Sequence, residues 1–157
     1  MEKNEKEFAK LIRENKGTIY TVCYMFSKDE DEVSDLFQEV LINLWKGLDK
    51  FRGDCNVSTW IYRVSLNTCI SVDRKKKKFS NQVPLNMNVN LFEDDDKDTK
   101  QIRQLYDRIH ALGPIDRALI LLWLENMSYE EIGAIVGISV NNVSTKLFRI
   151  KQKLMNM

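Results

Sequence analysis

Segment 139–154, SVNNVSTKLFRIKQKL, holds side chains that can bond to bases and phosphates. It carries four positive charges and no negative charge. Drawn as a helix, it has one apolar stripe, which consists of Val143, Leu147, Ile150 and Leu154. Phe148 lies outside that stripe, beside Arg149 on the polar side. Arginine can bond guanine bidentately, asparagine can read adenine, and hydroxyl groups can bond bases or phosphates. The polar side is therefore predicted to contact DNA.

The residues before this segment predict that it forms the second helix of a helix-turn-helix. Ser128 and Glu131 form a capping box before the short apolar run IGAIVG. Gly137 stands where a helix end needs a left-handed residue, and Ser139 can cap the helix that follows. A short helix, a glycine-containing turn and a basic helix, in that order, are the sequence form of this motif.

The predicted DNA-facing side chains of the basic helix are Asn142, Ser144, Thr145, Lys146, Phe148, Arg149 and Lys151. The lysines are expected to meet mainly phosphate, which makes the affinity sensitive to salt. The Phe148 ring either packs on a thymine methyl group or a sugar, or folds back to cover the turn. The plainer interpretation of the whole pattern is a solvated amphipathic helix that ends a bundle.

A second candidate is segment 58–78, STWIYRVSLNTCISVDRKKKK, in which aromatic, basic and amide side chains alternate along a predicted helix. Unstacked bases need stacking surfaces and pockets, so this mixture suits single-stranded DNA. The candidate residues are Trp60, Tyr62, Arg63, Asn67 and Arg74. Asn67 could read the edge of a flipped base. The alternative for Trp60 is a place in the core for at least part of its ring.

The third candidate is an acidic and amide face on the helix after Ser27, whose cap is Ser27 itself or Asp29. Its apolar residues recur every three or four positions and are predicted to face the core. They are Val33, Leu36, Phe37, Val40, Leu41, Leu44, Trp45 and Leu48. The opposite face carries Asp35, Gln38 and Glu39. It is either a solvated surface or a docking face for a basic partner helix.

The periodicity elsewhere predicts an all-α protein with two small helical domains and a flexible linker between them. Two helices are expected in residues 4–15 and 17–27, with a break near Gly17, and Ser58 is expected to cap the helix that follows loop 51–58. The predicted division is a first domain at 1–78, a linker at 79–100 and a helix-turn-helix domain at 101–157. The linker lacks helical period and is rich in Asn and acidic residues.

Composition argues against an enzyme, a cofactor or a metal centre. The three cysteines are widely spaced, His110 is the one histidine, and no glycine-rich phosphate loop occurs. The net charge is only +1, but acidic and basic residues are segregated along the chain, which favours more than one binding surface. No apolar run is long enough to span a bilayer, and the charged N-terminus is unlike a signal peptide. A cytoplasmic protein without membrane insertion is expected.

Taken together, these segments resemble the bacterial RNA polymerase sigma factors of the extracytoplasmic-function group. The resemblance is carried, in order, by DLFQEVLINLWKGLDKF, STWIYRVSLNTCISVDR and LGPIDRALILLWLENMSYEEIGAIVGISVNNVSTKLFRIKQKL. It covers residues 5–155 and includes the spacing of the segments and the linker between them.

The resemblance implies a role for each surface. Asp35, Gln38 and Glu39 would bind the clamp helices of the largest subunit of core RNA polymerase. Residues 51–67 would read the minus-10 element as single-stranded DNA, with Asn67 on a non-template base. The helix from Ser139 would read the minus-35 element as duplex DNA, and the linker would thread toward the RNA exit path. Ser144 and the nearby NN depart from the family's frequent residues, so the minus-35 sequence cannot be carried over. Residues 51–57 are likewise individual, which leaves the minus-10 sequence open.

The family resemblance leaves two other classes of protein to be distinguished by experiment. One is a stand-alone helix-turn-helix repressor with a helical dimerisation domain, which would form dimers on palindromic duplex sites. The other is a small helical adaptor without DNA contacts. The sequence also leaves open whether a membrane-bound anti-sigma factor controls the protein.

Overall fold

The computed structural model describes residues 5–51, 53, 55–79 and 97–156, and within these ranges every regular element is helical. The helices are α1 (Glu5–Phe26), α2 (Glu30–Gly47), α3 (Val57–Phe79), α4 (Lys97–His110), α5 (Pro114–Leu124), α6 (Tyr129–Val136) and α7 (Val140–Met155). A short 3-10 turn, Leu48–Lys50, follows α2. The all-α fold class is confirmed.

The prediction of a helix break near Gly17 is wrong, because α1 runs without interruption from Glu5 to Phe26. A glycine inside a helix costs about 1 kcal/mol relative to alanine. Apolar side chains on both sides of Gly17 pack into the core, among them Leu11 before it and Ile19 and Val22 after it. Burial of these side chains outweighs the cost of the glycine, since each contributes about 1.5–3 kcal/mol when fully buried.

Helix α2 begins where the sequence indicates. The Asp29 carboxylate accepts a hydrogen bond from the Asp31 backbone N–H at 3.1 Å, and the acidic first turn suits the positive end of the helix dipole. The predicted stripe faces inward: Val33, Leu36, Val40, Leu44 and Leu48 are buried, and Phe37 and Leu41 pack beside them. Trp45 is in edge-on contact with the Phe8 ring of α1.

The residue that caps the start of α3 differs from the prediction. Asn56, not Ser58, supplies the cap: its side-chain oxygen accepts from the Thr59 backbone N–H at 2.8 Å. Asparagine is as good a cap as serine, and the helix gains Val57 and Ser58 by starting earlier.

Helices α1, α2 and α3 pack on one another as one bundle, and α5, α6 and α7 as another. The apolar helix α5 lies at the centre of the second bundle, with Leu119, Ile120, Leu121 and Leu122 buried. The two bundles touch, because α1 contacts α4 and α5 while α3 contacts α5 and α6. Most of the predicted linker, residues 80–96, lies outside the described residues, whereas residues 97–100 belong to α4.

Candidate nucleic-acid and polymerase interfaces

The turn between α6 and α7 has the geometry that the sequence predicts. Ser128 accepts from the Glu131 N–H and Ser139 from the Asn142 N–H, each at 3.2 Å. Gly137 adopts φ +83°, in the left-handed region. Gly133 allows α6 to approach the turn closely, since a Cβ there would lie 2.7 Å from the Ile138 carbonyl oxygen. These contacts fix the angle at which α7 leaves the turn.

Helix α7 buries its apolar stripe and exposes its candidate DNA face. Val143, Leu147 and Ile150 are almost fully buried against the rest of the second bundle. The exposed candidates are Asn142, Ser144, Thr145, Lys146, Phe148 and Arg149. Phe148 is 65% exposed, so its ring does not fold back to cover the turn. An apolar ring therefore stands in solvent among amide, hydroxyl and cationic groups.

Lys151 differs from the other candidates on α7. It is half-buried, and its Nζ lies 4.0 Å from the centre of the Trp123 ring of α5. A cation over the face of an indole is attracted by the ring quadrupole. Its ammonium group is therefore held against α5 in this structure, while Lys146 is exposed.

The aromatic candidates of α3 lie inside the protein. Trp60 is 8% exposed and its ring lies 4.9 Å, centre to centre, from that of Phe51. Tyr62 is 5% exposed, and its hydroxyl donates to the Glu125 carboxylate over 3.5 Å. Burial, followed by the nearby charge of Glu125, raises the pKa of Tyr62. Neither ring offers a free stacking surface in this arrangement.

The polar candidates of α3 form a stripe along its outer side. Asn67 follows Arg63 by four residues and Arg74 follows it by eleven. This spacing places all three on one face of a helix. Asn67 and Arg74 are exposed. Arg63 is half-buried because its Nη2 donates to the Ala134 carbonyl of α6 over 2.7 Å. We call these three residues the α3 stripe.

The third candidate surface lies on α2. Asp35, Gln38 and Glu39 are all exposed. Asp35 and Glu39 also line a cavity of about 270 Å³ between α2 and α3, with an apolar floor and further charged groups at its edge. The other lining residues are Phe26, Glu32, Leu36, Cys69, Val72, Asp73 and Lys76. Four carboxylates against one ammonium group give the mouth of this cavity a negative charge, which favours a basic partner.

Arg117 is a buried charged residue that the sequence interpretation missed. It is 5% exposed, its Nη2 lies 3.6 Å from the Asp73 carboxylate of α3, and its Nε donates to the Leu112 carbonyl over 3.0 Å. Its guanidinium carbon lies 5.1 Å from the centre of the Phe26 ring. The sequence signal was a single charge inside the apolar run IDRALILLWLEN, since a buried arginine requires a partner.

Cys69 and His110 lie in surroundings that disfavour their charged forms. The hydrogen bond with Cys23, and then burial, raise the pKa of the Cys69 thiol, which disfavours the reactive thiolate. Burial lowers the pKa of His110, whose Nδ1 lies 2.6 Å from the Tyr106 carbonyl oxygen. In the part of the chain that the structure describes, no three His, Cys, Asp or Glu residues are grouped to hold a metal ion.

Two family models match this chain. The model of sigma-70 region 2 matches residues 11–79, and that of sigma-70 region 4 matches residues 102–154. The RNA polymerase sigma-H factor of Pseudomonas aeruginosa is 26% identical over 96% of this chain and 86% of its own. The ECF RNA polymerase sigma factor SigW of Bacillus subtilis is 27% identical over 96% of this chain and 88% of its own.

A solved structure shows the same fold. The sigma factor RpoE of Bartonella quintana, in complex with the anti-sigma factor NepR, superposes with a TM-score of 0.77 at 19% identity, covering 96% of each chain. Together with the two matched regions, these relatives define the class: the chain belongs to the sigma-70 family of RNA polymerase sigma factors. Within that family it belongs to the extracytoplasmic-function group. Among the helices of the described residues, none has the length and apolarity to cross a membrane.

Proposed function

We propose that this sigma factor binds core polymerase and promoter DNA through three surfaces: the acidic face of α2, the α3 stripe and the outer face of α7. The observation that carries the proposal is the exposed Phe148 among exposed polar and cationic groups on the second helix of a helix-turn-helix. Such a face offers apolar contact for a thymine methyl group beside hydrogen-bonding groups for bases.

In this proposal the outer face of α7 enters the major groove of the minus-35 element. Arg149 bonds guanine or phosphate, Asn142, Ser144 and Thr145 bond bases or backbone, and Lys146 meets phosphate. Lys151 joins the interface only after it leaves the Trp123 ring. Residues 101–157 form the domain that carries this surface.

Residues 1–78 form the domain that binds polymerase and the minus-10 element. Asp35, Gln38 and Glu39 present acceptors and a negative field to the clamp helices of the largest subunit. On α3, Asn67 bonds an unpaired non-template base, and Arg63 and Arg74 follow the backbone of that strand. Trp60 and Tyr62 are buried in the described arrangement, and contact of their rings with bases stays a prediction.

Each domain alone makes few contacts, and their linkage through polymerase raises the joint affinity. The protein acts in the cytoplasm, where polymerase and chromosome meet. It contributes no catalytic group of its own, because bond formation belongs to core polymerase.

Run-off transcription with purified core polymerase tests the proposal. The wild-type chain should give promoter-dependent transcripts from genomic templates. Arg149→Ala should reduce them at least about fivefold at promoters with a minus-35 element, since a bidentate contact is worth about 1–3 kcal/mol. Gln152→Ala, an exposed change on the same helix outside the candidate set, is the matched control. No transcript from any template would contradict the proposal.

The stand-alone repressor predicts a different assembly. It would elute as a dimer, bind palindromic duplexes and ignore core polymerase. Size-exclusion chromatography with light scattering, followed by pull-down on core polymerase, separates the two functions. A monomer that is retained by polymerase supports the sigma-factor assignment of these surfaces.

We also propose that an anti-sigma factor holds this chain inactive, a partner suggested by the RpoE–NepR complex. The reading frame next to this gene is the first to examine, and if it encodes a short membrane protein, the cytoplasmic segment of that protein is the probe. That segment should bind the chain in a one-to-one complex and abolish run-off transcription. Binding without loss of transcription would contradict this control.

A further inference from the structure

Thr145 and Phe148 lie three residues apart on the outer face of α7, and both are exposed. Side chains at this spacing are neighbours on a helix surface, with about 5–6 Å between their Cβ atoms. Aromatic side chains in helices lean over the preceding turn. For Phe148 that turn contains Thr145. The Phe148 ring and the Thr145 side chain therefore share one patch of the proposed DNA-binding surface.

The hydroxyl group of Thr145 is already bonded to its own helix. Its Oγ1 donates to the Asn141 carbonyl oxygen over 3.0 Å. A hydroxyl group has one proton, so while this bond lasts it cannot donate to an acceptor on a base. The other heavy atom beyond Cβ is the Cγ2 methyl carbon. What Thr145 has left to offer the edge of a base is therefore chiefly its methyl group.

The Phe148 ring adds a larger apolar group to the same patch. It is 65% exposed, and burial of its surface against a ligand would be favourable. Helix α7 has no acidic residue, so no charge of this helix repels the phosphates that flank a bound groove. The patch is thus an apolar spot on a surface that otherwise suits DNA.

The C5-methyl group of thymine is the apolar group that standard base pairs present in the major groove, where the remaining groups are donors and acceptors. Threonine methyl groups and phenylalanine rings are among its usual protein contacts. A cytosine that is methylated at C5 places the same group on a G·C pair. The ligand chemistry that fits the patch is therefore the methyl group of a 5-methylpyrimidine.

We propose that Thr145 and Phe148 together form a methyl-reading patch, which selects a 5-methylpyrimidine, either thymine or 5-methylcytosine, in the minus-35 element. This inference rests on the proposed function, in which the outer face of α7 enters the major groove. The bond to Asn141 holds the Thr145 side chain in place, and the methyl group of the base packs against it and the Phe148 ring. Recognition of an unmethylated promoter then requires an A·T pair within reach of the patch.

Replacement of thymine by uracil tests the patch, because it removes one methyl group and no hydrogen-bonding group. Holoenzyme is assembled from core polymerase and the full-length chain, and a promoter that gives run-off transcripts supplies the duplex. Each thymine of the minus-35 element is replaced in turn. At one position or more, the dissociation constant should rise about fourfold, the factor that corresponds to about 0.8 kcal/mol for one buried carbon group. Equal affinity at every position would overturn the proposal.

Two variants connect this loss of affinity to the patch. Thr145→Ser removes the methyl group and keeps a hydroxyl group for the Asn141 carbonyl, while Phe148→Ala removes the ring. Each variant should bind the thymine duplex more weakly than the wild type does and should lose most of the discrimination against uracil. Gln152→Ala, exposed on the same helix outside the patch, should keep the fourfold ratio. An unchanged ratio in either variant would overturn the part assigned to that residue.

A further pair of duplexes distinguishes the two bases that carry the methyl group. At the position that is sensitive to uracil, the A·T pair is replaced by a G·C pair with either cytosine or 5-methylcytosine. The methylated duplex should bind about fourfold more tightly than the unmethylated one. Equal affinity of the two would overturn the inference for 5-methylcytosine.

A scrambled minus-35 element separates this inference from the proposed function. If wild-type holoenzyme binds the intact and scrambled elements equally, the proposed function fails and the inference falls with it. If the intact element is preferred but thymine and uracil bind equally, the proposed function stands and the methyl-reading patch is rejected.

Discussion

At the scale of single residues, two neighbouring side chains of α7 differ in location, one in the core and one on the surface. Leu147 is fully buried and Phe148 is 65% exposed, although both are large and apolar. The helical repeat places them on different faces, so the same kind of side chain lies in the core in one case and on the proposed DNA-binding surface in the other. Substitution of Leu147 should therefore lower the free energy of unfolding, whereas substitution of Phe148 should leave it almost unchanged.

Phe148→Ala should leave the free energy of unfolding within about 0.5 kcal/mol of the wild type, because an exposed ring loses few contacts. Leu147→Ala should lower it by about 2–5 kcal/mol. Chemical denaturation measures both. In run-off assays Phe148→Ala should still weaken transcription from promoters that need a minus-35 element. A large loss of stability for Phe148→Ala would place its ring in the core instead.

The two lysines of α7 should differ in their response to salt. Lys146 is exposed and is proposed to meet phosphate, whereas the Lys151 ammonium group lies over Trp123. Lys146→Gln should reduce the slope of log affinity against log salt by about one. Lys151→Gln should change it less. Holoenzyme titrations of minus-35 duplex at several salt concentrations provide the comparison, and equal slopes for the two variants would contradict the assignment.

At the scale of elements, two glycines inside helices have different roles. Gly17 sits in α1 with open space around its Cα, while Gly133 in α6 faces the Ile138 carbonyl oxygen. The sequence suggested a break at the first, because glycine is a poor helix former. Only the packing of α1 on both sides of Gly17 shows that the helix continues through it.

Gly133→Ala should destabilise the helix-turn-helix by about 1–3 kcal/mol, since the added Cβ would lie 2.7 Å from a backbone oxygen that cannot move without opening the turn. Gly17→Ala should instead raise the free energy of unfolding by about 0.5–1 kcal/mol. Thermal denaturation of both variants measures the contrast. A stabilising Gly133→Ala would show that the turn can relax.

At the scale of the whole molecule, one group that titrates near neutral pH, His110, lies where α4 meets α1. His110 lies at the end of α4, and burial, with Lys28 and Arg117 nearby, lowers its pKa below the ordinary 6.5. The unfolded chain therefore binds this proton at a higher pH than the folded chain does. The stability associated with a neutral His110 is present above pH 6.5 and is lost as the pH falls below it.

The wild-type melting temperature should accordingly fall between pH 7.5 and pH 5.5 by more than that of His110→Gln, since glutamine cannot titrate. Scanning calorimetry of both proteins at matched ionic strength measures the difference, which removes the contributions of other groups. If the melting temperatures of both proteins fall equally with pH, His110 is not responsible for the loss of stability.

The sequence by itself determined the elements and their outward chemistry. The repeat of apolar residues located α2, α5 and α7, and the caps at Asp29, Ser128 and Ser139 were readable because a cap bonds to its own neighbouring residues. The all-α class and the exposed faces of α2 and α7 follow from the same local rules.

Only the tertiary structure decided which side chains are accessible to a binding partner and how the two helical bundles contact each other. Tyr62 and Arg63 bond to residues more than sixty positions away, and Arg117 finds Asp73 across the same contact. No local pattern encodes such pairs, because they depend on how preformed helices pack. The α3 stripe was predicted from its residue types, but its partial closure by α6 arises from long-range contacts alone.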